Sequence, residues 1–249
     1  MTKIRSTNKG NIDDRRGQAR SGGGMGLPGG MQLPGGLKAG GGLLGVIVLV
    51  ASLLLPKLLG AGGTATNGAA EPGATGSSAS SECVTEIEQI VCGVTNDVQE
   101  YWTEALPAAF GTQYQMTETV WFEGGVDTAC GAASSQTGPF YCPADSLVYI
   151  DLGFMQQLEE QLVGVTSDLA EQYILAHEYG HHIQNLLGIN AEVQRAAERD
   201  ADVGRQYSIA LELQADCFAG AWVGARNVLE NAAELDEAIK AAEGVGDDR

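Results

Sequence analysis

Ala176-His177-Glu178-Tyr179-Gly180-His181-His182 is the stretch on which the reading of this chain turns. It contains His-Glu-x-x-His. Two histidines four apart on a helix are separated by about 400° of rotation, so they share a face roughly one turn apart. That places two imidazole nitrogens where one Zn²⁺ can bind both, at about 2.0–2.1 Å. Glu178 follows the first ligand, and its carboxylate can reach a metal-bound water without binding the metal. Two ligands and a general base on one helix is a metal-assisted hydrolysis arrangement. The flanks agree: residues 171–188 read as one helix, apolar at Ile174, Leu175, Ile183, Leu186 and Leu187, with Gly188 as its stop.

A catalytic zinc takes three protein ligands and keeps one position open. The chain has three histidines, His177, His181 and His182. His182 is five positions from His177, on a different helix face, and reads as a packed ring. The longer pattern HExxHxxGxxH fails, because Gln184 stands where Gly is wanted and Leu187 where the third His is wanted. The third ligand is therefore a carboxylate or a thiolate. The best candidate lies in Leu211–Trp222, where residues 211, 215, 218, 219 and 222 form an apolar helical stripe. Glu212 and Asp216 share a face of that helix, and a nearby cation would relieve their repulsion. Glu212 is assigned as the third ligand. Asp216 is assigned to the outer nitrogen of a ligating histidine, His177 first, where it fixes the tautomer. Cys217, one residue off this face, reads as a buried small apolar residue.

The stretches HEYGHHIQ and LELQADCFAG resemble the bacterial neutral zinc metallopeptidase family. So do Ala129-Cys130-Gly131, Gly138 through Asp145, and Val148-Tyr149-Ile150-Asp151-Leu152. The opening Arg15-Arg16-Gly17, followed by a Gly-rich stretch and an apolar segment, is similar too. The HExxH with a downstream ExxxD also resembles the gluzincin pattern, as in thermolysin. The resemblance implies a zinc peptidase without naming a substrate. Family members carry a further histidine in a segment beyond the point where this sequence stops at Arg249. Thermolysin-like sites use a residue outside the zinc helices to hydrogen-bond the transition-state oxyanion. Tyr207 and Arg205 are the local candidates for that role.

Outside this region the chain divides by composition. Residues 1–38 are rich in Gly and polar residues, too poor in apolar surface to offset ordering entropy, and are expected to be a disordered cytoplasmic segment. Residues 39–59 are expected to be a transmembrane helix. Eighteen residues between Lys38 and Lys57 carry no charge, which as a helix spans about 27 Å. Lys3, Arg5, Lys9, Arg15, Arg16, Arg20 and Lys38 precede it against only Asp13 and Asp14. The positive-inside rule then leaves the N-terminus cytoplasmic and the remainder periplasmic or extracellular. Residues 60–82 are expected to be a flexible linker, and residues 83–249 the zinc metallopeptidase domain.

The net charge is −18, and all but two of the 32 acidic residues lie beyond Lys57. Such a surface excludes nucleic acid, which needs a basic footprint. The expected partners are a peptide or protein substrate and the lipid bilayer. Cys83 lies close to Cys92 and Cys130 to Cys142. These are the simplest of three pairings, consistent with a location outside the cytoplasm. A cysteine-based structural zinc site is discounted, because no C-x-x-C occurs.

Val84–Phe110 reads as a helix broken near Pro107. Thr119–Glu123 and Leu147–Leu152 read as strands, the latter a candidate edge for binding an extended substrate. Helices are expected at Phe154–Val163, at the zinc motif, at Ala191–Arg205, around Glu212 and at Ala232–Glu243. The fold class is α+β, a mainly helical zincin-like domain with a small sheet. The function expected is zinc-dependent peptide hydrolysis with Glu178 as general base. The alternative is a non-catalytic, zinc-stabilised envelope-binding or assembly module. Amidase action on cell-wall peptides would use the same site.

Overall fold

A computed structural model describes residues 4–17, 82–161 and 168–228. The elements run β1 (Ile12–Asp14), α1 (Glu86–Phe110), β2 (Thr119–Phe122), β3 (Gly125–Thr128), β4 (Gly131–Ser134), β5 (Phe140–Cys142) and β6 (Leu147–Asp151). Four helices follow: α2 (Leu152–Gln161), α3 (Asp168–Leu186), α4 (Ile189–Arg199) and α5 (Ala201–Arg226). Helices around small sheets match the expected mixed class. The sheet order is β1-β2-β6-β5, with β1, β2 and β6 parallel and β5 antiparallel to β6; β3 and β4 form a separate hairpin.

Alternation along the strands divides the core in two. Trp121, Val148 and Ile150 face the helices, packing with Val94, Val98, Leu175, Tyr179 and Trp222. Val120, Phe122 and Tyr149 face the other way, onto Val126, Cys130 and Cys142 beneath the hairpin. All four residues of β2 are buried, as a strand covered on both faces requires. Asp151 closes β6 by accepting the Gly153 and Phe154 N–H groups that open α2, and it also accepts the Gly124 N–H of the hairpin.

Helix α1 starts at a capping box between Thr85 and Glu88 and runs through Pro107 to a left-handed Gly111. The expected break at Pro107 does not occur. Proline in the last turn forfeits only one intrahelical bond, and the Gly111 N–H still reaches the Pro107 carbonyl at 3.0 Å. The two downstream helices divide at Asp200 rather than between residues 205 and 211. Asp200 leaves helical geometry and its carboxylate takes the Asp202 and Val203 N–H groups, so α5 is one helix from Ala201 to Arg226.

Three further expectations are corrected. Residues 4–17 fall inside the stretch read as disordered, yet they are ordered on the domain and contribute β1. Composition missed this because their partners are charged and backbone groups rather than a core of their own. Strand β6 lies between β2 and β5, so it offers no free edge. Cys217 is exposed rather than buried. Both expected disulfides are present, Cys83–Cys92 and Cys130–Cys142. Among the described residues no helix is long and apolar enough to cross a membrane. The expected transmembrane segment 39–59, the linker to residue 81 and the helix at 232–243 lie outside the described residues.

Candidate metal centre

Helices α3 and α5 carry the site. They approach closely because Gly180 faces Ala215. A Cβ on Gly180 would lie 2.8 Å from the Ala215 carbonyl oxygen and 2.9 Å from its Cα. The contact falls between the turn holding His177 and His181 and the turn holding Glu212 and Asp216, so both carboxylates come within reach of the rings.

The ligand atoms of His177, His181 and Glu212 lie within 4.8 Å of one another. Glu212 Oε2 is 3.1 Å from His177 Nε2 and 3.5 Å from His181 Nε2. Four ligands arranged tetrahedrally at about 2.0–2.1 Å stand about 3.3 Å apart, so these separations fit a zinc ion with one position left over. Nitrogen, nitrogen and carboxylate oxygen is also a donor set zinc accepts.

Each ligand ring is oriented from behind. His177 Nδ1–H donates to Asp216 Oδ1 at 2.8 Å, and the Tyr173 hydroxyl donates to the same oxygen at 2.8 Å. His181 Nδ1–H donates to Gln184 Oε1 at 2.9 Å, while Gln184 Nε2 donates to the Leu211 carbonyl at 2.6 Å. Both rings are thus held with Nε2 toward Glu212. Gln184 and Tyr173 escaped the sequence reading. Gln184, noted only for failing the longer histidine pattern, sits three residues after His181, the i,i+3 spacing that lets side chains meet.

The charges are coupled. Burial opposes a charged His177, but hydrogen bonds to Asp216 and Glu212 outweigh it and push its pKa up to about 10. His181 is raised as well, burial being overcome by Glu212. Burial pushes Glu212 up, but the two histidines hold it well below the usual carboxylate range. Asp216 is lowered by its hydrogen bond to His177, against the opposing effect of burial. Without metal, a proton on His177 Nε2 occupies the line to Glu212 that a cation would take.

Glu178 is 8 % exposed, and burial raises its pKa while His181 and His177 pull it down. It stands beside the ligands without belonging to the donor group, as a base requires. His182 is buried and packed, as expected. Its Nε2–H donates to the Gln115 carbonyl at 2.7 Å, its Nδ1 takes the Tyr141 hydroxyl at 3.0 Å, and burial lowers its pKa. Since Tyr141 is on β5, this histidine moors β5 to α3. Of the two oxyanion candidates, Arg205 pairs with Asp202 and Tyr207 is 46 % exposed.

The sequence profile described as putative neutral zinc metallopeptidase matches residues 1–249. The chain belongs to that family. It is 46 % identical over 144 residues to YpfJ of Escherichia coli (strain K12), covering 56 % of this chain and 49 % of the relative. It is 38 % identical over 171 residues to Rv2575 of Mycobacterium tuberculosis (strain H37Rv), covering 64 % of this chain and 55 % of the relative. The Mycobacterium bovis protein Mb2605 matches to the same extent. The chain thus spans about half the length of the curated relatives it matches. No solved structure matches it.

Proposed function

We propose that this protein is a zinc-dependent peptidase of zincin-like construction, with His177, His181 and Glu212 as ligands and Glu178 as general base. The convergence of three ligand atoms on α3 and α5, with a buried carboxylate beside them, carries this reading. A bound zinc would supply an acidified water and a Lewis acid for the scissile carbonyl. Glu178 takes the proton of the attacking water and returns it to the leaving amine. Its raised pKa makes the carboxylate a stronger base toward the proton of the attacking water. Asp216 and Gln184 keep the histidine tautomers fixed while this happens.

The substrate would be an extended peptide. Strand β5 is the sheet edge beside α3, tied to it by the Tyr141 hydroxyl on His182. A peptide pairing with β5 would bring its own backbone to the base. The domain would work outside the cytoplasm, where its two disulfides persist, attached to a bilayer through the apolar stretch 39–59.

Zinc content and casein hydrolysis, measured on the full chain beside Glu178→Gln, test the assignment. One zinc in each with hydrolysis only in the wild type supports it. Equal hydrolysis by both proteins, or a wild type that holds no zinc, overturns it. Zinc in both without hydrolysis in either leaves the binding module as the better account.

A further inference from the structure

We infer that Ile4–Gly17 is an integral part of the 82–228 domain and shares its compartment, so that residues 39–59 do not part the two by a single membrane crossing. The attachment is made at every level. Strand β1 pairs in parallel with β2 along the edge left open by β6, with Ile12 beside Thr119 and Asp14 beside Trp121. The Thr119 N–H donates to the Asn11 carbonyl at 2.8 Å and the Arg15 N–H to the Trp121 carbonyl at 2.8 Å. Before the strand, Ser6 N–H donates to the Gln89 carbonyl and Cys83 N–H to the Thr7 carbonyl, at 2.9 and 3.0 Å.

The domain is shaped to receive this segment. A Cβ on Gly93 of α1 would fall 2.6 Å from the Ile4 carbonyl oxygen and 2.7 Å from the Arg5 Cα, so only glycine permits the backbone to lie there. Ile4 and Ile12 pack against the helix-side core. Trp121 has Lys9 and Arg16 over its ring, at 5.1 and 4.8 Å.

The charges that favoured a cytoplasmic N-terminus are already answered within the fold. Arg5 pairs with Glu86 at 2.5 Å and Asp168 at 2.7 Å. Arg16 pairs with Asp14 at 2.7 Å and Glu88 at 2.8 Å, Lys9 with Asp14, and Arg15 with Asp13. Of the basic residues counted by the positive-inside rule, these four are thus engaged in ion pairs, and Arg5 and Arg16 reach acids of the domain itself. A single crossing at 39–59 would hold the two halves on opposite faces of a bilayer. Residues 60–81 contain Glu71 and are Gly-, Ser- and Thr-rich, with no apolar run to bring the chain back. Docking and a single crossing are therefore exclusive.

Thiol labelling of the full chain in intact cells with a membrane-impermeant maleimide tests this. Cys217 is the exposed free thiol and reports the domain. In a Cys217→Ser background, one cysteine in an extension ahead of Met1 reports the N-terminus. The same outcome for both thiols, labelled before lysis or only after it, is expected. Labelling of one and protection of the other overturns the inference. Protection of both would move the domain to the cytoplasm, which bears on the location proposed above and leaves the docking intact.

Docking itself is read by trypsin cleavage after Arg15 and Arg16 in the purified full chain. Gly93→Leu, and Arg5→Glu as a milder variant, should each raise the rate at least tenfold. Zinc content, unaffected by a local release, verifies that the rest stays folded. Unchanged cleavage in a folded variant overturns the inference.

Discussion

Gly180 on α3 and Ala215 on α5 meet backbone to backbone, and this contact sets how far Glu212 stands from His177 and His181. A methyl group on Gly180 would press within 2.8 Å of the Ala215 carbonyl oxygen, inside any normal contact, so the helices must separate. A shift of a few tenths of an ångström moves Glu212 relative to both rings. Gly180→Ala gains helix propensity, about 1 kcal/mol, and loses about 1–3 kcal/mol to overpacking. The expected outcome is a protein of similar or slightly lower melting temperature, with zinc affinity reduced at least tenfold. Competition with a chromogenic chelator measures it. Unaltered zinc affinity would show that the contact does not set the ligand spacing.

Glu178→Gln keeps the size and the buried position but abolishes the base. Because Glu178 is not among the ligand atoms, zinc should remain stoichiometric. The turnover number should fall by about 10²–10⁴, the usual worth of general acid–base catalysis. Glutamine matches the size and shape of glutamate, so the packing around β5 should be retained. Metal analysis beside a peptidase assay separates this result from loss of the site.

The chemistry-bearing residues were legible because helical periodicity alone places His177, His181, Glu212 and Asp216 on two faces. The cysteine pairs were legible because their partners are close in sequence. What remained hidden depends on contacts between distant segments. Strand β1 has only three residues, and its partner β2 is more than a hundred residues away, so no local pattern announces it. Strand β5 is equally short, and its attachment to α3 comes from the Tyr141 hydroxyl reaching His182. Reading β6 as an edge failed for a related reason: a strand buried on both faces carries the same apolar run whether or not a further strand pairs beside it. Gln184 was visible as a residue, but its task requires the Leu211 carbonyl, which only the packing of α5 supplies.

Asp216→Asn tests the support behind His177. The amide can accept the Nδ1 proton through its oxygen, but it no longer carries the charge that strengthens the ligand. Zinc affinity should drop about 10–100-fold, with Tyr173→Phe giving a smaller loss through the same oxygen. Equal affinities in wild type and Asp216→Asn would remove Asp216 from the site.

The pH dependence of stability differs with and without metal. In the metal-free protein the pKa of His177 is raised to about 10 from an ordinary value near 6.5. A pKa raised on folding contributes stability that is full below the unfolded value and is lost as pH climbs through the folded one. The metal-free protein should therefore lose this contribution progressively between about pH 6.5 and 10. Zinc needs the neutral ring, so its uptake expels the Nε2 proton. Apparent zinc affinity should rise about tenfold per pH unit for each proton released over the same range, which offsets that loss, so the loaded protein stays level where the metal-free one declines. Thermal melts with and without zinc across that interval should converge at the acid end and separate toward the alkaline end. Parallel pH profiles for the two forms would show that no proton on His177 competes with the metal.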